Sequence, residues 1–192
     1  SGGSLVTAST IVAISGDHTL YAHWTAPSYT VTFNSQGGTA PSPASKTVTS
    51  GEAYGTLATT SRTGYTFDGW YTAATGGTQV TSSTIVTATS DHTLYAHWTA
   101  RTCTVTFNAQ GGTTPGPITV TYDEAYGTLA TTSRTGYTFD GWYTAATGGT
   151  QVTSSTIVTA TSNHTLYAHW TAETHTLTYG AGPNGKVEGE LE

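Results

Sequence analysis

The chain has 192 residues, a formal net charge of -6 at pH 7, and only 8% charged residues. Its five basic residues are spread singly, which excludes the clustered basic surface needed to bind nucleic acid or an anionic membrane. No apolar run approaches the roughly 20 residues of a membrane-spanning helix, so no membrane insertion is predicted. A single cysteine, Cys103, excludes a disulfide within the chain.

The most informative feature of the sequence is an internal repeat. The 49 residues from 52 to 100 recur at 124 to 172, and the one difference is Asp91 against Asn163. Tandem repetition argues against a unique active site, because an array of identical units gains length or avidity from each added copy. Four parts are predicted: the end of a preceding repeat (1–26), two complete repeats (27–100, repeat 1, and 101–172, repeat 2), and the start of a divergent repeat (173–192). Short tag remnants are expected at both ends.

The first predicted element of each repeat is a hairpin. Apolar residues alternate with Thr in the segment YTVTFN, which predicts a strand with one buried face. A glycine turn follows, and a second strand ends shortly before Glu52 or Glu124. The second strand differs between copies, since Ile118 and Tyr122 replace Lys46 and Ser50. We therefore expect the stronger hairpin in repeat 2.

The middle of each repeat is predicted to be irregular. The segment AYGTLATTSRTG has no clean period, and we expect a crossover with at most one helical turn. In GYTFDGWYT, Tyr65 and Phe67 share the core face, so strict alternation would turn Trp70 outward. An extra residue at Asp68-Gly69, forming a bulge, would return Trp70 to the core. A tight Asp-Gly hairpin turn is the alternative.

The last predicted element is a closing strand, TLYAHW. Its alternation directs Leu94, Ala96 and Trp98 inward and directs Tyr95 and His97 outward. Each repeat thus ends in a strand with an aromatic residue on both faces. Linkers of a few residues, TAPS, TAR and TAE, separate the units and are too short for free tumbling.

The three ordered motifs TVTFNxQGG, GYTFDGWYT and DHTLYAHW resemble the Listeria-Bacteroides repeat, the B-repeat of internalin-type bacterial surface proteins. The resemblance covers nearly all of both complete units. It implies a mainly β fold, β-grasp-like and distantly related to ubiquitin, in a tandem array with little helix. It also implies that the closing strand lies parallel beside the opening strand, and that the parent protein is secreted or attached to the cell wall.

Neither a catalytic nor a metal site is predicted. No GxSxG, HExxH or GxxxxGK motif is present, and a Ser-His-Asp set could form only by spatial assembly. His92 and His97 are five residues apart on one strand, so they face opposite sides and suit structural roles better than metal ligation. Cys103 has inward parity and no adjacent base, which predicts a small buried hydrophobe rather than a reactive thiol. We expect no enzyme activity and no cofactor.

The aromatic residues are the best candidates for binding. A sugar-stacking platform that includes Trp70 and Trp98 is one interpretation, but both tryptophans have inward parity and are better explained as core. The outward-facing candidates for contact with a ligand are Tyr71, Tyr95, His97, Tyr143, Tyr167 and His169.

The sequence favours a non-catalytic stalk or spacer of a bacterial cell-surface or secreted protein, located outside the cell or in the cell wall, with an adhesin as one form of the parent. The alternative is a repeat that itself binds a host, matrix or carbohydrate ligand through exposed sheet edges and tyrosines. End-to-end or strand-mediated self-association is a further prediction. An enzyme comes third.

Overall fold

The computed structural model describes residues 3–180 and residue 183. Ten strands form two five-stranded sheets, and no described residue is helical, which confirms the mainly β prediction. The first sheet contains Ser28–Asn34 (β1), Ser45–Thr49 (β2), Tyr65–Tyr71 (β3), Gln79–Val80 (β4) and His92–Ala100 (β5). The second contains Thr102–Asn108 (β6), Ile118–Thr121 (β7), Tyr137–Tyr143 (β8), Gln151–Val152 (β9) and His164–Ala172 (β10).

The flanking segments contain no strand among the described residues. Residues 3–26 and 173–180 are irregular and largely exposed, and the Trp24 side chain is 92% exposed. A strand needs a neighbour for its backbone hydrogen bonds, and these segments have none here. Most of the divergent stretch predicted after residue 180 lies outside the described residues.

The two sheets share one topology. The strand order is β2-β1-β5-β3-β4 in the first and β7-β6-β10-β8-β9 in the second. β1 and β5 are parallel, with Phe33 opposite Leu94, whereas β1–β2, β3–β5 and β3–β4 pair antiparallel. The opening and closing strands therefore lie side by side at the centre of each sheet, as the resemblance implied.

The bulge in β3 explains how its tryptophan reaches the core. The register shifts between Phe67 and Gly69, and Gly69 has a φ of 137°. This confirms the bulge and shows that the hairpin turn was wrong, since β3 continues to Tyr71. Trp70 is 2% exposed, and its indole N–H donates to the carbonyl oxygen of Ala58 at 2.8 Å. The extra residue shifts the alternation of the strand by one position, so that Trp70 in its C-terminal half faces the core.

Irregular segments, rather than a helix, cover the core face of each sheet. The stretch after β2 pairs with the stretch before β5, through hydrogen bonds such as Tyr54 N to Thr84 O at 2.9 Å and Val86 N to Glu52 O at 2.8 Å. The crossover contains no helical turn. The core of the first sheet comprises Val31, Phe33, Val48, Tyr54, Ala58, Trp70, Val80, Val86, Leu94 and Ala96.

Trp98 closes the rim of this core. Its indole N–H donates to Ser35 O at 2.8 Å, and a Cβ on Gly38 would lie 2.6 Å from its ring, so only glycine fits there. Phe67, expected to be in the core, is 37% exposed and instead packs on Trp98, with ring centroids 5.2 Å apart. Phe67 is less buried because it lies on the N-terminal side of the bulge, where its register partner is Trp98 at the rim of the core.

Candidate functional site: the repeat junction and the tyrosine–histidine face

The three ligand-contact candidates of repeat 1 lie together on the outer face of the first sheet. Tyr71 stacks on His97 with ring centroids 3.9 Å apart and planes 11° apart, and Tyr71 is the register partner of Tyr95. All three are half-buried. Repeat 2 has the same arrangement, with Tyr143 stacked on His169 at 3.9 Å and 9° and with Tyr167 beside them. We call each set the tyrosine–histidine face.

This face is held rigidly. His97 Nε2 lies 3.0 Å from the carbonyl oxygen of Ala73, and a carbonyl only accepts, so Nε2 is protonated and donates. The ring is therefore fixed to the turn that follows β3. His169 has the same bond to Ala145 at 3.0 Å. A fixed aromatic surface loses little side-chain entropy when it binds a partner.

An open groove lies beside each tyrosine–histidine face. In repeat 1 it has a volume of about 500 Å³, and its lining includes Arg62, Asp68, His97 and Trp98. In repeat 2 the equivalent groove measures about 430 Å³. The Asp68 carboxylate accepts a hydrogen bond from the Thr99 hydroxyl at 2.7 Å. The groove thus places a positively charged and a negatively charged side chain, Arg62 and Asp68, next to the aromatic rings of His97 and Trp98.

The histidines that begin the closing strands, His92 and His164, are hydrogen-bonded within the fold. His92 Nε2 lies 2.8 Å from the Tyr54 hydroxyl, and Nδ1 lies 3.1 Å from Ser90 O. Since the carbonyl only accepts, Nδ1 carries the proton and Nε2 accepts from the tyrosine. Within residues 3–180, no group of three or more His, Cys, Asp or Glu side chains is placed to hold a metal ion.

Cys103 is buried, as predicted, but it has a histidine beside it that the sequence did not reveal. Its Sγ lies 3.9 Å from His164 Nδ1. That nitrogen also faces Ser162 O at 3.2 Å, so it is protonated and unable to take the thiol proton. Burial raises the pKa of the Cys103 thiol. Cys103 is therefore a packing residue, because a protonated thiol is a poor nucleophile.

The junction between the repeats is a single residue, Arg101. Its backbone N–H donates to Gly64 O of repeat 1 at 2.9 Å, and its carbonyl accepts from Tyr122 N of repeat 2 at 2.9 Å. The one residue between β5 and β6 is thus bonded to both units. The same backbone bonds recur at the outer ends, where Ser50 N donates to Pro27 O and Glu173 N donates to Gly136 O, both at 2.9 Å.

Side chains add a second set of contacts at this junction. The Tyr65 hydroxyl donates to Asp123 Oδ2 at 2.8 Å, and the Tyr65 and Tyr122 rings meet edge to face at 5.7 Å. The Arg62 guanidinium carbon lies 3.8 Å above the centre of the Tyr65 ring. The hydrogen bond to Asp123 raises the pKa of Tyr65, because ionisation would place two negative charges in contact.

The sequence predicted only part of this cluster. Tyr122 was recognised as a difference between the copies, but Asp123 was weighed only as one of the few carboxylates of repeat 2, and the surface that these two residues contact was not predicted. Both residues stand where repeat 1 has Ser50 and Gly51. The signal available in the sequence was an aromatic residue and a carboxylate in place of two small residues at the end of a strand.

The comparison with known families decides the identity of the units. A model that describes the Listeria-Bacteroides repeat domain matches residues 29–97 and 104–169, which is well over half of the chain. The chain belongs to the Listeria-Bacteroides repeat family. Each match begins at an opening strand and ends within a closing strand, so each Listeria-Bacteroides repeat corresponds to one five-stranded sheet.

Several longer proteins contain similar Listeria-Bacteroides repeats. The chain is 42% identical over 108 residues to Internalin H of Listeria monocytogenes. Two proteins of Evansella cellulosilytica, provisionally named a Gly-rich membrane protein and a membrane protein, are 27% identical over 180 residues and 28% identical over 187 residues. These alignments cover 56%, 91% and 94% of the chain.

The chain spans only about a fifth to about a quarter of the length of these relatives, with shares of 19%, 20% and 27%. Most of each relative therefore lies outside the aligned repeats. In the part of this chain that the structure describes, no helix is long and apolar enough to cross a membrane.

Proposed function

We propose that the chain is a non-catalytic spacer segment in which Listeria-Bacteroides repeats are held at a restricted angle. The observation that carries this proposal is the junction residue Arg101, whose backbone bonds to one repeat on each side. A linker of one residue with both of its polar backbone groups engaged has little freedom to rotate. The side-chain cluster of Tyr65, Tyr122 and Asp123 restricts the angle further.

A distance measurement between the repeats tests the spacer. Ser82 and Ser154 are exposed, occupy equivalent positions, and can each be changed to cysteine in a Cys103→Ser background. After spin labelling, double electron–electron resonance should give one narrow distance distribution. A distribution as broad as that of a flexible linker would contradict the proposal.

The matched control lengthens the junction. Insertion of Gly-Ser after Arg101 leaves both cores unchanged but separates the Arg101 carbonyl from its partner on Tyr122. We expect the labelled chain with this insertion to show a clearly broader distribution, because Gly/Ser linkers behave as flexible chains. The control also shows that the labels themselves do not set the width.

A second candidate function is recognition of a partner, and it is favoured by the rigid tyrosine–histidine face. Tyr71, Tyr95 and His97 recur as Tyr143, Tyr167 and His169 with the same geometry. β2 and β7 are edge strands in their sheets and could pair with a strand of another protein. The partner would be a host or matrix protein or a carbohydrate, and the same edges would support self-association of the chain.

Avidity separates recognition from spacing. Changing Tyr71 and His97 to alanine in repeat 1 leaves one intact face in the chain, and changing Tyr143 and His169 as well leaves neither. A recognition module should lose affinity for a captured matrix protein or immobilised glycan in two steps, with avidity lost at the first. Binding that is absent from the unaltered chain, or unaffected by all four changes, would exclude recognition through this face.

We place the parent protein at the bacterial cell envelope, outside the membrane. The similarity to Internalin H and to two proteins named as membrane proteins supports this location. Immunolabelling of unpermeabilised cells that express the full-length parent tests it. Labelling seen only after permeabilisation would contradict a surface location.

A further inference from the structure

The inter-repeat contact consists of two complementary parts. Repeat 1 contributes an acceptor surface formed by Arg62, Gly64 and Tyr65, and repeat 2 contributes a Tyr–Asp pair, Tyr122 and Asp123. Gly64 is essential to the fit, because a Cβ at this position would overlap the ring of Tyr122. The acceptor surface therefore recognises an aromatic ring and a carboxylate at the end of the neighbour's second strand.

Repeat 2 carries an identical acceptor surface at its own far end. Arg134, Gly136 and Tyr137 correspond to the three residues of repeat 1, and the Arg134 guanidinium carbon lies 3.7 Å above the centre of the Tyr137 ring. Gly136 has a φ of 77°, against 78° for Gly64. The backbone bond to the following residue is also present, from Glu173 N to Gly136 O at 2.9 Å. This surface is thus formed before any neighbour covers it.

The difference between the two acceptor surfaces is coverage. Gly64 is buried beneath Tyr122, whereas Gly136 is exposed. In the part of the chain that the structure describes, a Cβ on Gly136 would have no heavy atom within 4 Å beyond those of Gly136 and its two chain neighbours. The occupied surface of repeat 1 shows what fits the exposed one. The occupant presents a tyrosine ring that meets the ring of the surface's tyrosine edge to face, and a carboxylate oxygen that accepts from its hydroxyl.

We propose that Arg134, Gly136 and Tyr137 form a docking surface for a further repeat whose second strand ends in Tyr-Asp. This inference rests on the proposed spacer function and adds a rule for which repeats can follow one another. A repeat of the repeat 1 type does not meet the rule, because Ser50 and Gly51 supply neither ring nor carboxylate. Gly51 and Asp123 both have positive φ, 82° and 66°, so the backbone is shared and the side chains make the distinction.

The docking partner belongs to the same polypeptide rather than to a second copy of this chain. In every intact copy, the Tyr–Asp pair of repeat 2 is already bound to its own repeat 1. The remaining repeat carries Ser50-Gly51 and does not match. The proposed occupant is therefore a Tyr-Asp repeat joined in tandem behind repeat 2, in the way that repeat 2 is joined behind repeat 1.

A pair of glycine substitutions tests the acceptor surface in the existing chain. Gly64→Ala and Gly136→Ala both place a side chain at positive φ, and only the first overlaps Tyr122. With labels at residues 82 and 154, Gly64→Ala should broaden the inter-repeat distance distribution at least about twofold, and Gly136→Ala should leave it unchanged. Equal widths in both variants would overturn the role of the acceptor surface.

An extended chain tests docking itself. A second copy of residues 101–172 is joined after Ala172 in place of 173–192, and labels are placed at Ser154 and at the corresponding serine of the added repeat. The matched control changes only the added Tyr-Asp to Ser-Gly. We expect a narrow distribution for the first chain and one at least about twofold broader for the control.

The outcomes of these experiments separate the two proposals. A broad distance distribution between residues 82 and 154 in the otherwise unaltered chain would contradict the spacer proposal. A narrow distance distribution between these residues, combined with distance distributions of equal width in the two extended chains, would contradict the docking proposal and remain consistent with the spacer proposal.

Discussion

The two repeats form the same sheet while differing in their opening hairpins. From Glu52 and Glu124 onward they share 48 of 49 residues, and the bulge, the closing strand and the buried tryptophan coincide. In the hairpins, Ile118 of repeat 2 stands at the position of Lys46 in repeat 1, and Tyr122 stands at the position of Ser50. The shared part builds the core, and the variable part determines how each unit meets its surroundings.

The hairpin differences show that one backbone tolerates several chemical solutions. Lys46 donates hydrogen bonds to Tyr54 O and Thr56 O, whereas Ile118 at the same position packs against the second core. Tyr29 is half-buried, and its counterpart Cys103 is buried. Such exchanges are accepted because the core on the other strands is unchanged.

The largest expected effect comes from removing a core tryptophan. Trp70→Ala removes a fully buried ring together with its hydrogen bond to Ala58, and should cost about 3–5 kcal/mol of unfolding free energy in repeat 1. Amide NMR spectra should lose the dispersed signals of repeat 1 and keep those of repeat 2. The reciprocal variant Trp142→Ala should reverse the pattern, and loss of both sets in either variant would show that the repeats fold as one unit.

The next effect separates the two hairpins. Lys46→Ala leaves two backbone carbonyls without the ammonium donor and should cost about 1–2 kcal/mol in denaturant unfolding. Lys46→Ile installs the residue that repeat 2 uses and should stay within about 0.5 kcal/mol of the unaltered chain. Both variants lose the two hydrogen bonds, so an equal loss of stability in both would show that these bonds are what Lys46 contributes and that isoleucine packing does not replace them.

The single difference inside the shared 49 residues should have almost no effect. Asp91 Oδ1 accepts from Thr30 N at 2.7 Å, and Asn163 Oδ1 accepts from Thr104 N at 2.8 Å. Asp91→Asn should therefore change the unfolding free energy by less than about 0.5 kcal/mol, while Asp91→Ala should cost about 1 kcal/mol. A large loss in the asparagine variant would mean that the charge of Asp91 matters.

The smallest effect is on the titration of one tyrosine. Asp123→Asn removes the charge that holds the Tyr65 proton, so the pKa of Tyr65 should fall toward its usual value of about 10. Because the folded pKa is raised, the contact stabilises the junction below about pH 10 and is lost as the pH rises through the raised value. Tyrosinate absorbance, compared with a Tyr65→Phe chain, measures the shift, and an unchanged curve would contradict the contact.

Local patterns in the sequence predicted the strands and the bulge. Alternation around Val31 and Leu94 fixed which faces are buried, and the parity conflict at Trp70 required an extra residue at Asp68-Gly69. The parallel pairing of β1 and β5 depended on the family resemblance, because alternation carries no information about which strands are neighbours. Phe67 was misplaced for the same reason, since its burial depends on where Trp98 covers the sheet.

The candidate site was predicted less completely. The outward parity of Tyr71, Tyr95 and His97 was evident, but the stacking and the bond to Ala73 depend on a turn whose path no periodicity specifies. The junction joins residues 58 positions apart, Tyr65 and Asp123, in different units. A contact between folded units is not encoded in the pattern of either unit alone.

The topology also determines how the array carries tension. A pull along the polypeptide enters each sheet through β1 or β6 and leaves through β5 or β10, which are adjacent, parallel and hydrogen-bonded. The load therefore acts along these strands and shears their hydrogen bonds together instead of opening them one at a time. With Arg101 passing the load directly from one such pair to the next, each sheet is a mechanical clamp in series with its neighbour.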